Sequence, residues 1–287
     1  LESSWKPQNY TGEFYGSISI RDALIKSVNI VSIKLLREMG LDKTHEYLVN
    51  FGFSENKLPN DLSLALGSGN FSPAEMVRAY SVIANNGSIS NIHYIDNIQD
   101  RFGNIIYSHE EFILNNENKD IEAFPWLNTI EMTANKPYYL LEPIEDSEQV
   151  IDPRISFLMS DVLKALMKNG VAGRKSRFLN RNDIAGKTGT TNDSISTWFS
   201  GYHSDLVTTV WVGTDDFSSL GKNEFGSTIA LPIWLGYMDY KLNFLEVSKD
   251  EIPQNISFVR VNKSTGEVDI DSKENFYFEL FLDENIN

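Results

Sequence analysis

The chain has 287 residues, 41% hydrophobic and 23% charged, an ordinary globular composition with ample material for a core. Its net charge of −15 argues against a basic groove for nucleic acid, and the absence of cysteine excludes disulfides and thiolate metal sites. The four histidines, at 45, 93, 109 and 203, show no metal-ligand spacing, so no metal is expected, and no run approaches the roughly 20 apolar residues of a membrane span.

Residues 17–40 read as helix with an interruption. Ser19 can cap Ile20–Ile25, and a second stripe carrying Ile30, Ile33 and Leu36 runs to Gly40. Between them, Ser27-Val28-Asn29 forms either a turn that points a Ser and an Asn into a cleft or a cap for the second helix. Asp42–Phe51 is a short helix stopped by Gly52, and Ser72-Pro73-Ala74-Glu75 is a capping box opening a helix that closes near Gly87. Residues 91–107 alternate as a hairpin turning at Asp100–Asn104, and the acidic stretch 108–150 reads as a surface insertion or partly disordered loop. Asp152-Pro153 starts a strong helix ended by Gly170. Strands are expected at 184–191, 197–203 and 206–214, the last two joined by a turn at His203–Asp205. Residues 255–270 suggest one more hairpin, turning at Ser264-Thr265-Gly266.

The string Ala185-Gly186-Lys187-Thr188-Gly189-Thr190-Thr191-Asn192-Asp193, followed by Trp198-Phe199-x-Gly201-Tyr202, carries the chemistry. On an extended segment Lys187 and Gly189 share one face, Thr188 and Thr190 the other. Gly189, lacking a side chain, would let a substrate backbone approach. Such a strand offers an ammonium, hydroxyls and backbone N–H groups to an anionic, amide-bearing ligand. Gly186-Lys187-Thr188 is not the end of a phosphate-binding loop, because the earlier glycine that loop requires is Arg181.

This string resembles the Lys-Thr-Gly motif of class A penicillin-binding transpeptidases, and Ser27-Val28-Asn29 resembles the Ser-x-Asn motif of the same family, in the right order. Further likeness runs along most of the chain, at Trp5-x-Pro7-x-Asn9, Met76-x-x-Ala79-Tyr80, Val210-Trp211-Val212-Gly213 and Pro232-Ile233-Trp234. The resemblance implies an α+β fold, an antiparallel sheet flanked by helices with an all-helical lobe, incomplete in this chain. Residues 1–245 would be the C-terminal part of the transpeptidase domain, with the acidic insertion inside it, and 246–287 a C-terminal hairpin and tail. The sheet of the family also draws strands from before the nucleophile, so the 206–214 strand is expected to present an open edge to them.

The resemblance also implies roles. Ser27 would relay a proton, Asn29 would hydrogen-bond the substrate amide and hold the neighbouring Lys, and Lys187 would supply positive potential. Thr188, Gly189 and Thr190 would bind the terminal carboxylate of a peptidoglycan stem peptide, with the Thr190 N–H as half of an oxyanion hole. β-Lactams would be alternative ligands, and no cofactor is needed. Two departures, Ser196-Thr197 in place of Asp-Ala and Gly170-Val171-Ala172 in place of Gly-Thr-Gly, touch the cleft rim.

The third motif of the family, Ser-x-x-Lys, carries the nucleophile at the start of a buried helix. Ser3-Ser4-Trp5-Lys6 has that spelling, but Pro7 pushes Lys6 out of helical geometry, so Ser3 is not expected to be the nucleophile. The nucleophile is expected in an upstream part of the same protein, with an anchor placing the enzyme on the periplasmic face of the inner membrane. A D,D-carboxypeptidase or β-lactamase uses the same motifs with water as acceptor, and a non-catalytic binding module could keep the fold. The sequence Thr191-Asn192-Asp193 favours the transpeptidase.

Overall fold

The computed structural model describes residues 5–108, 148–269 and 274–286. The chain divides into two compact units, one of residues 1–90 with 146–287, the other of residues 91–145.

In the first unit, the Ser19 hydroxyl accepts the Asp22 N–H at 3.0 Å and opens α1 (Ile20–Ile25). After a turn at Ser27 the chain resumes as α2 (Asn29–Met39), and Gly40 ends it and leads into α3 (Leu41–Asn50). Ser27 does not cap α2. The residue before α2 is Val28, which makes no side-chain cap. The capping box forms as expected: Ser72 Oγ accepts the Glu75 N–H, the Glu75 carboxylate accepts the Ser72 N–H, and α4 (Pro73–Ala84) follows. A small cluster around Phe53, Leu58 and Ala79 holds α3 and α4 together as a helical lobe.

Behind α4, β1 (Ser88–Ile89) pairs with a later two-residue strand. The second unit contains the expected hairpin of β2 (Asn97–Gln99) and β3 (Ile105–Ser108), whose turn closes on Asp100: one carboxylate oxygen accepts the N–H groups of Phe102 and Asn104. Of the acidic stretch, 109–147 lie outside the described residues, and β4 (Glu148–Gln149) is the partner of β1.

Asp152 then caps α5 (Pro153–Asn169), which ends at Gly170 and is followed by the short α6 (Gly173–Ser176). The expected strands form one antiparallel sheet in the order β5 (Ala185–Thr190), β6 (Ser196–His203), β7 (Leu206–Gly213). Among the described residues, the outer edges of β5 and β7 pair with no further strand. One face of the sheet packs on α4 and α5 through Leu163, Ala185 and Tyr202.

The other face packs on α7 (Ala230–Lys241), whose Trp234 is fully buried 4.9 Å from the Phe199 ring and donates its indole N–H to Thr208 O at 3.1 Å. Burying one such aromatic side chain contributes on the order of 3 kcal/mol. The apolar pattern gave no sign of α7. Leu231, Trp234, Leu235 and Met238 face the core, but Ile233, Tyr237 and Tyr240 are apolar and exposed, so no single stripe stands out.

The C-terminal hairpin forms at the expected turn, and its first strand, β8 (Ile256–Asn262), gains a second partner that the sequence did not foreshadow. Behind the turn at 263–266 the return arm, among the described residues, makes one bridge, Val261 to Val268. The full-length partner of β8 is β9 (Phe276–Leu282), which bonds the opposite edge of β8. The two do not compete: the return arm bonds one edge of β8 through Asn262 N–H to Glu267 O and Asp269 N–H to Arg260 O, and β9 takes the other edge with seven paired residues.

Candidate active site

The two motifs meet. Lys187, 160 residues from Ser27 in sequence, donates from Nζ to Ser27 Oγ at 2.8 Å and to Thr188 O at 3.0 Å. Each half reaches this point by a different local device.

Ser27 sits at the end of α1. Its N–H bonds to Leu24 O, and the next N–H, of Val28, reaches back to Ala23 O at 2.8 Å. This is the 5→2 and 6→1 pattern that ends helices with a left-handed residue, a place usually taken by glycine. Ser27 takes it with φ 55°. For a residue with a side chain that conformation costs roughly 1–2 kcal/mol. The strain fixes the hydroxyl at a sharp, exposed corner aimed at Lys187.

Lys187 sits on β5, opposite Ser200 of β6. Thr191 N bonds to Ser196 O in the same register, and antiparallel ladders alternate. Lys187 and Gly189 therefore bond to β6, whereas Thr188 and Thr190 turn their N–H and C=O groups to the open edge. The contact of Lys187 Nζ with Thr188 O lies at that edge. Burial pushes the Lys187 pKa down to about 8 from its ordinary 10.5, because a desolvated ammonium is disfavoured. The remaining ammonium polarises the Ser27 oxygen and lowers the cost of negative charge there, while the Ser27 proton stays free to be donated elsewhere.

The other expected residues have mixed placements. The Thr188 hydroxyl has no hydrogen-bond partner among the described residues. Thr190 Oγ1 accepts the Gly226 N–H at 2.9 Å. Gly226 itself presses on the strand: a Cβ there would lie 2.5 Å from Gly189 O and 2.4 Å from Trp198 O, so only glycine fits. The backbone that approaches Gly189 in this structure is thus the chain's own. Asn29 is the first residue of α2 and its amide donates to Gln8 O at 2.9 Å, not to Ser27 or Lys187.

Further features had no role assigned from the sequence. Asn9 stands in for the missing cap of α2: its Oδ1 accepts the Ile30 N–H at 3.1 Å, and its Nδ2 donates to Glu13 O at 2.7 Å. Arg21 of α1 is gripped by Glu279 and Asp161. Two further Ser-x-x-Lys strings, Ser54 to Lys57 and Ser219 to Lys222, follow Ser27 rather than preceding it, and Lys57 is paired with the buried Glu75 at 2.8 Å. As for Ser3-x-x-Lys6, Ser3 lies outside the described residues, and Trp5 to Asn9 are not helical.

Comparison with known proteins identifies the family of the chain. The profile of the penicillin binding protein transpeptidase domain matches residues 2–219. Penicillin-binding protein 1A of Pseudomonas aeruginosa is 37% identical over 99% of this chain and 36% of its own length. Penicillin-binding protein 1A of Vibrio cholerae is 33% identical over 99% of this chain and 37% of its own length. The chain thus spans little more than a third of these curated relatives. The crystal structure of penicillin-binding protein 1A from Haemophilus influenzae superposes with a TM-score of 0.80 at 29% identity, covering 97% of this chain and 42% of that one. The chain belongs to the family of penicillin-binding protein transpeptidase domains.

Proposed function

We propose that the intact protein is a peptidoglycan D,D-transpeptidase of the bifunctional type, acting through an acyl-serine on stem peptides of the growing wall polymer and inhibited by β-lactams. The observation that carries this reading is the 2.8 Å hydrogen bond between Lys187 and Ser27, which joins two family motifs beside an open strand edge. The nucleophilic serine and its lysine come from a Ser-x-x-Lys segment outside residues 1–287. Strands from the same upstream part pair with the free edge of β7, and an anchor beyond this chain holds the enzyme at the periplasmic face of the inner membrane.

In this mechanism the substrate strand lies along the open edge of β5, with its terminal carboxylate on the hydroxyls of Thr188 and Thr190 near the Lys187 ammonium. The serine oxygen bonds to the carbonyl carbon of the penultimate D-Ala. The Thr190 N–H meets the oxyanion that forms; one such donor is worth roughly 3 kcal/mol of barrier. The C–N bond then breaks, and the proton released by the serine passes through Ser27 to the leaving amine of D-Ala. The amine of a second stem attacks the acyl-serine in the reverse sense and frees the serine. Asn29, turned from Gln8, bonds the substrate amide.

Acylation of the intact protein by a fluorescent penicillin, followed by stopped flow, tests the assignment. Ser27→Ala and Lys187→Ala are each expected to slow acylation by about 10²- to 10⁴-fold with little change in melting temperature. Rates near wild type in both variants would overturn the site. Mass spectrometry should place the adduct outside residues 1–287; a stoichiometric adduct on Ser3 contradicts the upstream nucleophile.

A further inference from the structure

We propose that Arg21 is a positioning residue for the Ser27–Lys187 pair, acting through a clamp formed by Asp161 and Glu279. This rests on Ser27 and Lys187 being the working pair of the proposed reaction. Helix α1 has six residues, too few to hold a fixed place by its own hydrogen bonds, and only Ala23 of it is buried. Its orientation must come from outside. Ile25 rests on the main core, and Arg21 adds the directional link. Its Nε lies 2.8 and 2.7 Å from the two oxygens of Glu279, and its Nη2 lies 2.6 Å from Asp161 Oδ2. The side chains of Arg21 and Glu279 are 20% and 15% exposed, so the ion pair is shielded from water. A planar fork held on both sides fixes direction as well as distance, which a lysine cannot do.

The carboxylates are placed to relate the two halves of the site. Asp161 follows Ser160 on α5, and Ser160 Oγ shares a 2.7 Å hydrogen bond with Tyr202 OH of β6. Two consecutive residues of one helix thus hold the sheet that carries Lys187 and the helix that carries Ser27. Because the turn at Ser27 is bonded into α1 through Ala23 and Leu24, rotation of α1 carries the hydroxyl with it. Glu279 comes from β9, beyond the residues 2–219 matched by the family profile, so the hairpin adds a support that the matched segment does not contain.

The test is single-turnover penicillin acylation of the intact protein, separating the dissociation constant of the initial complex from the acylation rate constant. Arg21→Met is expected to lower the rate constant at least about tenfold while the dissociation constant changes less than about twofold. Arg21→Lys should recover part of the loss, and Arg21→Met combined with Ser27→Ala should be no slower than Ser27→Ala alone. Arg21→Met leaves two carboxylates facing each other, so Arg21→Met/Asp161→Asn/Glu279→Gln is measured beside it and should show the same split. The proposal is overturned if both Arg21 variants acylate at the wild-type rate, if their loss adds in full to that of Ser27→Ala, or if it follows melting temperature alone. If Ser27→Ala and Lys187→Ala themselves react normally, the underlying site reading fails instead.

Discussion

The two halves of the site are held in opposite ways. Lys187 rides on a strand paired residue by residue with β6 from Ala185 to Thr190, and that sheet lies on the core around Phe199 and Trp234. Ser27 rides on a six-residue helix and a strained turn, held, besides the packing of Ile25 on the core, by single side-chain contacts whose partners lie 21, 140 and 258 residues away. Damage to the supports of Lys187 therefore acts through the stability of the whole sheet. Damage to the second half changes geometry while most of the fold survives.

Removing Trp234 should have the largest effect and test the first side of that contrast. Trp234→Ala empties a fully buried site and strips Thr208 O of its indole donor, and is expected to cost about 3–5 kcal/mol. Urea midpoints should fall, and acylation should fall only as the folded fraction does. A Trp234→Ala protein that melts normally yet acylates slowly would erase the distinction.

Removing the borrowed cap should act the other way. Asn9→Ala leaves the Ile30 N–H without its acceptor and is expected to cost roughly 1–2 kcal/mol, with acylation of the folded protein reduced beyond what that loss explains. Asn9→Asp keeps the acceptor and should restore most of the rate. Equal behaviour of the two variants in stopped-flow acylation would show that the cap does not govern the Ser27 half.

The smallest expected effect is on pH dependence. Lys187 is an ammonium below about 8 and an amine above it, so affinity for a carboxylate-bearing penicillin should weaken as pH rises through about 8. The folded state sheds this proton before the unfolded chain, whose lysine titrates near 10.5. Between those values the unfolded state binds more protons, and this group makes stability rise with pH. Lys187→Arg stays charged and should flatten both profiles, measured as penicillin affinity and urea midpoint across that window.

What could be read in advance follows the same division. Ser19, Ser72 and Asp152 act within three residues of the helices they open, and the β5–β6–β7 sheet shows its alternation and tight turn locally. The motif strings named Ser27 and Lys187 as partners without giving a distance. Asn9, Arg21, Asp161 and Glu279 carried no local signal, because each acts on a group far off in sequence. Helix α7 was hidden because it is apolar on more than its core side, and β9 because the nearer turn signal accounts for one edge of β8 and says nothing of the other.

The left-handed backbone at Ser27 also limits what can replace it. Glycine, asparagine and aspartate tolerate φ 55° but bring no hydroxyl, and threonine brings the hydroxyl on a branched Cβ that this region of backbone space rejects. Conformation and proton chemistry admit different sets of residues here, and serine is where they overlap. Variation that retunes the relay while preserving it must therefore fall on the tethers around position 27, not on position 27 itself.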